Sequence, residues 1–171
     1  WEGQLSKFKI EATPEQRETF YTSVYHAFLH PFIFQDADGK FRELDKNIGQ
    51  AECFTNYTVF SLWDTYRALH PLFNLVQRDI NADIVNSMLA HYDKSVEHML
   101  PVWSFYGNVT WCMIGYHAVS VIADAIMKDV KGFDYVRAYE AMMTTATNHN
   151  YDCLPEYTEL GWVALDKEKE S

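Results

Sequence analysis

Three residues able to carry charge or a proton are set into an otherwise apolar stretch from Phe60 to Leu72, FSLWDTYRALHPL. Asp64 and Arg67 stand three apart and His70 continues the spacing, so on a helix they would share a face. Buried among Leu62, Trp63, Leu69 and Leu72, such groups must be satisfied. They can pair with one another. They can also line a polar cleft, where a carboxylate accepts sugar hydroxyls while Trp63 packs on the apolar face of the ring. The residues alone leave both readings open.

A second dense stretch runs from Val102 to His117, VWSFYGNVTWCMIGYH. Gly107-Asn108 makes a turn, and an apolar helix carrying His117 and Asp124 is expected just after it. A lone imidazole in an apolar helix is more often a satisfied core group than a ligand. Asp124, flanked by alanines, reads as structural. Glu52, Asp152, Glu156 and Glu159 fall at loop ends or helix starts, without the spacing of an acid/base pair.

The elements that must position these groups are mostly helical. Thr13-Pro14, followed by Glu15-Gln16, predicts a capped helix running to about Leu29 and stopped by His30-Pro31. A small hairpin is expected from Phe32 through the Asp38-Gly39 turn to Phe41. A second helix is expected over Ser61 to Val76, with Pro71 kinking it or terminating its first half, and an amphipathic third over Ala82 to Met99. A fourth, Thr110 to Lys128, is apolar on nearly every side and should be ended by Gly132. An amphipathic fifth spans Tyr135 to Thr147, and Asn148 to Asp166 reads as an aromatic loop. Enclosed second and fourth helices alternating with half-exposed third and fifth ones suit a toroid of helical hairpins; a plain bundle is the alternative.

The whole chain, 1–171, reads as a single unit of one-domain size. Aromatic residues make up 16% of it, which suits either a packed interior or a ring-stacking pocket. A net charge of −10 with no basic block is against a nucleic-acid partner. Cys53, Cys112 and Cys153 lack zinc-ligand spacing; one disulfide stays open, and Cys112 reads as a small core residue. The longest apolar run, Trp111 to Met127, carries His117 and Asp124, which argues against a membrane span. Asn56-Tyr-Thr and Asn108-Val-Thr match the N-glycosylation triplet. Motifs for nucleotide binding, zinc proteolysis and serine hydrolysis are missing.

These segments resemble glycoside hydrolase family 92, exo-acting α-mannosidases common in gut Bacteroidetes. The resemblance rests on FSLWDTYRALHPL at 60–72, on GNVTWCMIGYHAVSVIADA at 107–125, on GWVALD at 161–166, and on YTSVYHAFL at 21–29 with its following Pro31. It implies an all-α chain with a small β-hairpin, the N-terminal portion of an α/α toroid catalytic domain, with both ends truncated. It also implies calcium-dependent hydrolysis of terminal α-mannosides with inversion, in which one carboxylic acid protonates the leaving oxygen and a carboxylate activates water. Mannose-containing glycans would be the partners, and the periplasm or cell surface the location.

The family motifs for the acid, the base and the calcium ligands do not occur in this chain and are expected downstream of Ser171, so no catalytic residue is carried over. What maps is Trp63-Asp64-Thr65, with Asp64 as a contact to the terminal mannose, together with Arg67 beside it and His117 in its Gly-Tyr-His context. Two departures stand out: Val109 replaces a common Glu, and Ala164 a common Pro. A fragment of this kind should lack activity alone and self-associate through uncovered apolar faces. The rival readings are a helical carbohydrate-binding module without catalysis, and another toroid glycosidase or lyase.

Overall fold

The computed structural model describes residues 1–163. It is mostly helical, with two small antiparallel sheets of two strands each. After a single turn, α1 (Glu2–Leu5), the capped helix α2 (Pro14–Ala27) forms where Thr13-Pro14 places it. The Thr13 hydroxyl accepts from the Gln16 amide while the Gln16 side chain accepts from the Thr13 amide, a reciprocal capping box.

The hairpin expectation holds for the turn but not for its strands. The Gly39 amide closes the turn onto the Asp36 carbonyl. However, β1 (Phe32–Ile33) pairs with β4 (Tyr57–Thr58), and β2 (Lys40–Arg42) pairs with β3 (Ile48–Gln50). Segments this short have no register of their own, so tertiary contacts choose the partners.

The expected second helix is two. α3 (Leu62–Thr65) is one turn, and α4 (Leu69–Val76) restarts after a break at Ala68. The break falls ahead of Pro71, which lies in the first turn of α4, where its missing N–H has no intrahelical partner to lose. Val59, a β-branched residue at φ 64°, marks the strained entry to this segment.

α5 (Arg78–Lys94) starts earlier than expected and is the central helix, packed against α4, α6 (His117–Met127), α7 (Tyr135–Ala146) and β4. α5 has the solvent-facing side expected of it, exposed at Arg78, Asp79 and Asp93, while Asn81 and Ser87 on its other side are buried and hydrogen-bonded. Ile84, Val85, Met88 and Leu89 beside them form the core with Phe60, Leu62, Phe73, Val121 and Ile122.

The fourth helix begins at His117, not Thr110, and buries one face rather than all of them. Its last residue is Met127, with Lys128 the C-cap, close to the expected end at Lys128, and the stop comes at Asp129 rather than Gly132. Asp129 takes φ 55°, and the amides of Asp129 and Val130 bond back to Ile126 and Ala125 in a Schellman turn. Arg78 clamps that end by donating to the Lys128 and Asp129 carbonyls at 2.8 and 2.7 Å. The expected loop after Asn148 contains another helix, α8 (Leu154–Leu160); residues 164–166 of that expectation, with the Ala164 departure, lie outside the described residues.

Cys53 and Cys112 are free, and Cys112 is exposed on the loop ahead of α6 rather than in the core. No helix among the described residues is long and apolar enough to cross a membrane.

Candidate functional site

Asp64 sits in the single turn α3, and its carboxylate accepts a hydrogen bond from the Ser61 hydroxyl. The expected ion pair with Arg67 is not among the salt bridges of the described residues. Pairing at that spacing needs a continuous helix, and the chain leaves α3 at Tyr66. Arg67 folds back instead. Its Nε donates to the Trp63 carbonyl at 3.3 Å, and its guanidinium lies 4.3 Å from the centre of the Trp63 ring and 5.4 Å from that of Tyr66. At an exposed site such cation–π contacts contribute about 0.5–1 kcal/mol. Asp64 is thereby left solvent-exposed, with acceptor capacity to spare.

His117, the first residue of α6, is brought to the same place. Its imidazole stacks on Tyr66 with ring centroids 4.4 Å apart and planes 5° from parallel. Burial lowers its pKa, and the Arg67 charge lowers it further. The ring is thus neutral at ordinary pH, with one nitrogen a donor and the other an acceptor. Its Nε2 is buried without a hydrogen-bond partner, as is the Thr65 hydroxyl nearby in sequence to Trp63 and Asp64. Gly115 makes this packing possible: at φ 84° it brings the loop so close that a Cβ there would lie 2.8 Å from His117 Nε2.

His70 is elsewhere. It is fully buried, and it heads a one-way chain of hydrogen bonds through the core. Asn81 donates to Asn74, which donates to Asp124 at 2.7 Å, so Asn81 Oδ1 is free to accept from His70 Nδ1 at 3.2 Å. Lys128 closes the chain on Asp124 at 2.7 Å. The structural reading of Asp124 is therefore correct. Asn56 is also accounted for: it is buried and donates to the Phe34 carbonyl, so its glycosylation triplet is inaccessible in the folded chain.

Trp63, Arg67, Tyr66 and His117 thus form one polar-aromatic cluster with Asp64 at its edge. Tyr66 and Gly115 were missed from sequence. Both stand in quoted motifs, but their role depends on α3 meeting α6, which spacing along the chain does not report. A cavity of about 590 Å³ does not coincide with the cluster; it lies between β2–β3, α5 and α7. Four of its charged side chains are paired, Arg137 with Asp93 and Lys94 with Glu43. The cluster instead holds buried polar atoms without partners, and is the stronger candidate for ligand contact. No group of three or more His, Cys, Asp or Glu side chains that could hold a metal exists among the described residues.

The model of the glycosyl hydrolase family 92 catalytic domain matches residues 1–171. The chain belongs to that family. The structure of the family 92 α-mannosidase BT3965 from Bacteroides thetaiotaomicron, in complex with mannoimidazole, is 76% identical over 98% of this chain, with a TM-score of 0.96. The inverting mannosidase BT2199 from the same organism is 30% identical over 95% of the chain, with a TM-score of 0.82. The family 92 glycosyl hydrolase ccman5 is 25% identical over 96%, with a TM-score of 0.65. Among curated proteins the comparison gives no match. The chain spans 22% of the length of BT3965 and 23% of that of BT2199.

Proposed function

We propose that this chain is part of an exo-α-mannosidase and supplies one wall of the pocket for the terminal mannose. The observation that carries the reading is the 76% identity, over 98% of the chain, to an α-mannosidase crystallised with mannoimidazole. The cluster has matching chemistry. Trp63 offers a flat apolar face to the sugar ring, Asp64 accepts from ring hydroxyls, and neutral His117 can donate or accept once a ligand reaches its edge. Arg67 lies over the Trp63 and Tyr66 rings, and its charge adds to the burial that lowers the His117 pKa.

In this reading the helices belong to an α/α toroid completed by other parts of a longer chain. The acid that protonates the leaving oxygen, the base that activates water, and the calcium ligands lie in those parts, and hydrolysis inverts the anomeric centre. The substrates are mannose-terminated glycans outside the cytoplasm. Without those parts, exposed apolar residues such as Leu75 and Met127 favour self-association.

The test is direct. The 171-residue chain alone should not turn over an aryl α-mannoside, whereas a family-length protein carrying it should, with activity lost to a calcium chelator and β-mannose as the first product by NMR. Turnover by the isolated chain, or inactivity of the longer protein on every α-mannoside, overturns the reading.

A further inference from the structure

We propose that the loop from Thr110 to Tyr116, together with Tyr157 of α8, is the platform that grips the sugar next to the terminal mannose. This rests on the mannosidase reading above and adds the residues that recognise the leaving group.

The loop departs from what its sequence favours. Apolar residues should draw 110–116 into a buried helix, yet Trp111 is 39% exposed, Met113 50% and Ile114 45%. Trp111 and Met113 are held at φ 54° and 69°, with Gly115 at 84°. For a non-glycine residue the left-handed region costs roughly 1–2 kcal/mol. Strain at two such residues, in a loop that exposes its apolar side chains, opposes folding stability and is typical of ligand clamps. The loop is nevertheless anchored. The Thr110 amide donates to the Trp103 carbonyl at 3.0 Å, and Trp111 packs on Tyr151 with centroids 5.3 Å apart.

A trough runs along this loop. One cavity of about 440 Å³ lies against Trp111 and Met113, with Glu97 and Asn150 at its rim. A second of about 300 Å³ lies against Gly115, Tyr116 and Tyr157, and Ile114 lines both. These volumes fall in the range of small-molecule sites, about 300–1,000 Å³. Gly115, which lines the second cavity, lies against the His117 imidazole. A glycan whose last ring is held at Trp63, Asp64 and His117 would lay its next ring along the trough.

The chemistry fits a neutral pyranose. Trp111 and Tyr157 offer aromatic faces to C–H groups, while the Glu97 carboxylate and Asn150 amide offer partners for hydroxyls. A carboxylate at the rim of a chain carrying a net charge of −10 disfavours an anionic ligand. An apolar segment of the surrounding protein is the competing occupant, and the experiment separates the two.

In a family-length protein carrying this chain, kcat/KM is measured on an α-mannobiose and on α-mannosyl fluoride, whose leaving group is too small to reach the trough. Trp111→Leu and Tyr157→Ala should each lower kcat/KM on mannobiose by roughly fivefold or more while leaving the fluoride within about twofold. Trp111→Phe, which keeps a flat ring, should restore most of the mannobiose activity. Equal losses on both substrates would mean that the loop packs against protein, and unchanged values on both would mean that it touches nothing; either overturns the platform. A wild-type protein inactive on the fluoride overturns the mannosidase reading itself.

Discussion

The imidazole of His117 lies flat on the phenol ring of Tyr66, 4.4 Å between centroids, although the two residues are fifty-one positions apart in the chain. Arg67 stands over the outer side of this arrangement, 5.4 Å from the Tyr66 centroid. The stack therefore joins α3 to α6 and places a fixed positive charge near a neutral ring.

Replacing Arg67 with Met should raise the pKa of His117, because the guanidinium is one of the two causes that lower it. Burial is the larger cause and remains, so the value should stay below the ordinary 6.5. Titration of the ring protons by NMR measures this. An unchanged pKa would show that Arg67 does not lie over the rings in solution.

Gly115→Ala should disturb the site through geometry alone. The added Cβ meets His117 Nε2 at 2.8 Å, and the residue must also hold φ 84°. Backbone strain alone should cost roughly 1–2 kcal/mol in urea denaturation. Because the clash falls on His117, the loss in Gly115→Ala combined with His117→Ala should be less than additive. Full additivity would mean that the loop moves and His117 stays.

The sequence made helix starts legible where the caps are local, as at Thr13-Pro14, and Trp63 and Asp64, adjacent in one motif, stay together on α3. It misjudged 110–116 because apolar composition cannot distinguish a buried helix from a strained, exposed loop. The shared face of Asp64, Arg67 and His70 was lost to the break at Ala68, three residues ahead of Pro71. Local signals are readable; the meeting of α3 with α6 is a property of the packed chain.

Acid should destabilise the chain through two histidines. Burial lowers the pKa of both His70 and His91 from 6.5 to about 4. The unfolded chain takes up protons near 6.5 while the folded chain does not, so stability rises with pH between about 4 and 6.5 and is lost as pH falls through that window. Below about 4 the folded rings protonate too, and the slope flattens. The gap from 6.5 to about 4 corresponds to roughly 3 kcal/mol for each ring. Urea denaturation across this range should show the slope, and His70→Gln should remove about half of it.

The hydrogen-bond chain from His70 to Asp124 should respond asymmetrically to truncation. Asn81→Leu strips the partner from His70 Nδ1 and from the side-chain Oδ1 of Asn74 at once, at a cost of about 1–3 kcal/mol for each orphaned group. Adding His70→Leu should recover part of this loss, since an apolar pair leaves fewer buried groups unsatisfied. A double-mutant cycle measures the coupling. Simple additivity would show that water already satisfies these groups.

Asp64 separates a structural role from a binding one. A buried ion pair with Arg67 would make Asp64→Asn strongly destabilising, by about 3–5 kcal/mol. The structure has Asp64 exposed and bonded to Ser61, so the substitution should change stability by no more than about 0.5 kcal/mol. If the carboxylate accepts mannose hydroxyls, losing its charge removes about 1.5–3 kcal/mol of charge-assisted hydrogen bonding. In a family-length protein that is a fall in kcat/KM of roughly ten- to a hundredfold. Normal melting with depressed kcat/KM places Asp64 on the sugar, whereas depressed melting with proportionate kinetics returns it to the fold. The exposed geometry favours the first outcome, because the carboxylate makes too few contacts within the protein to matter much for stability.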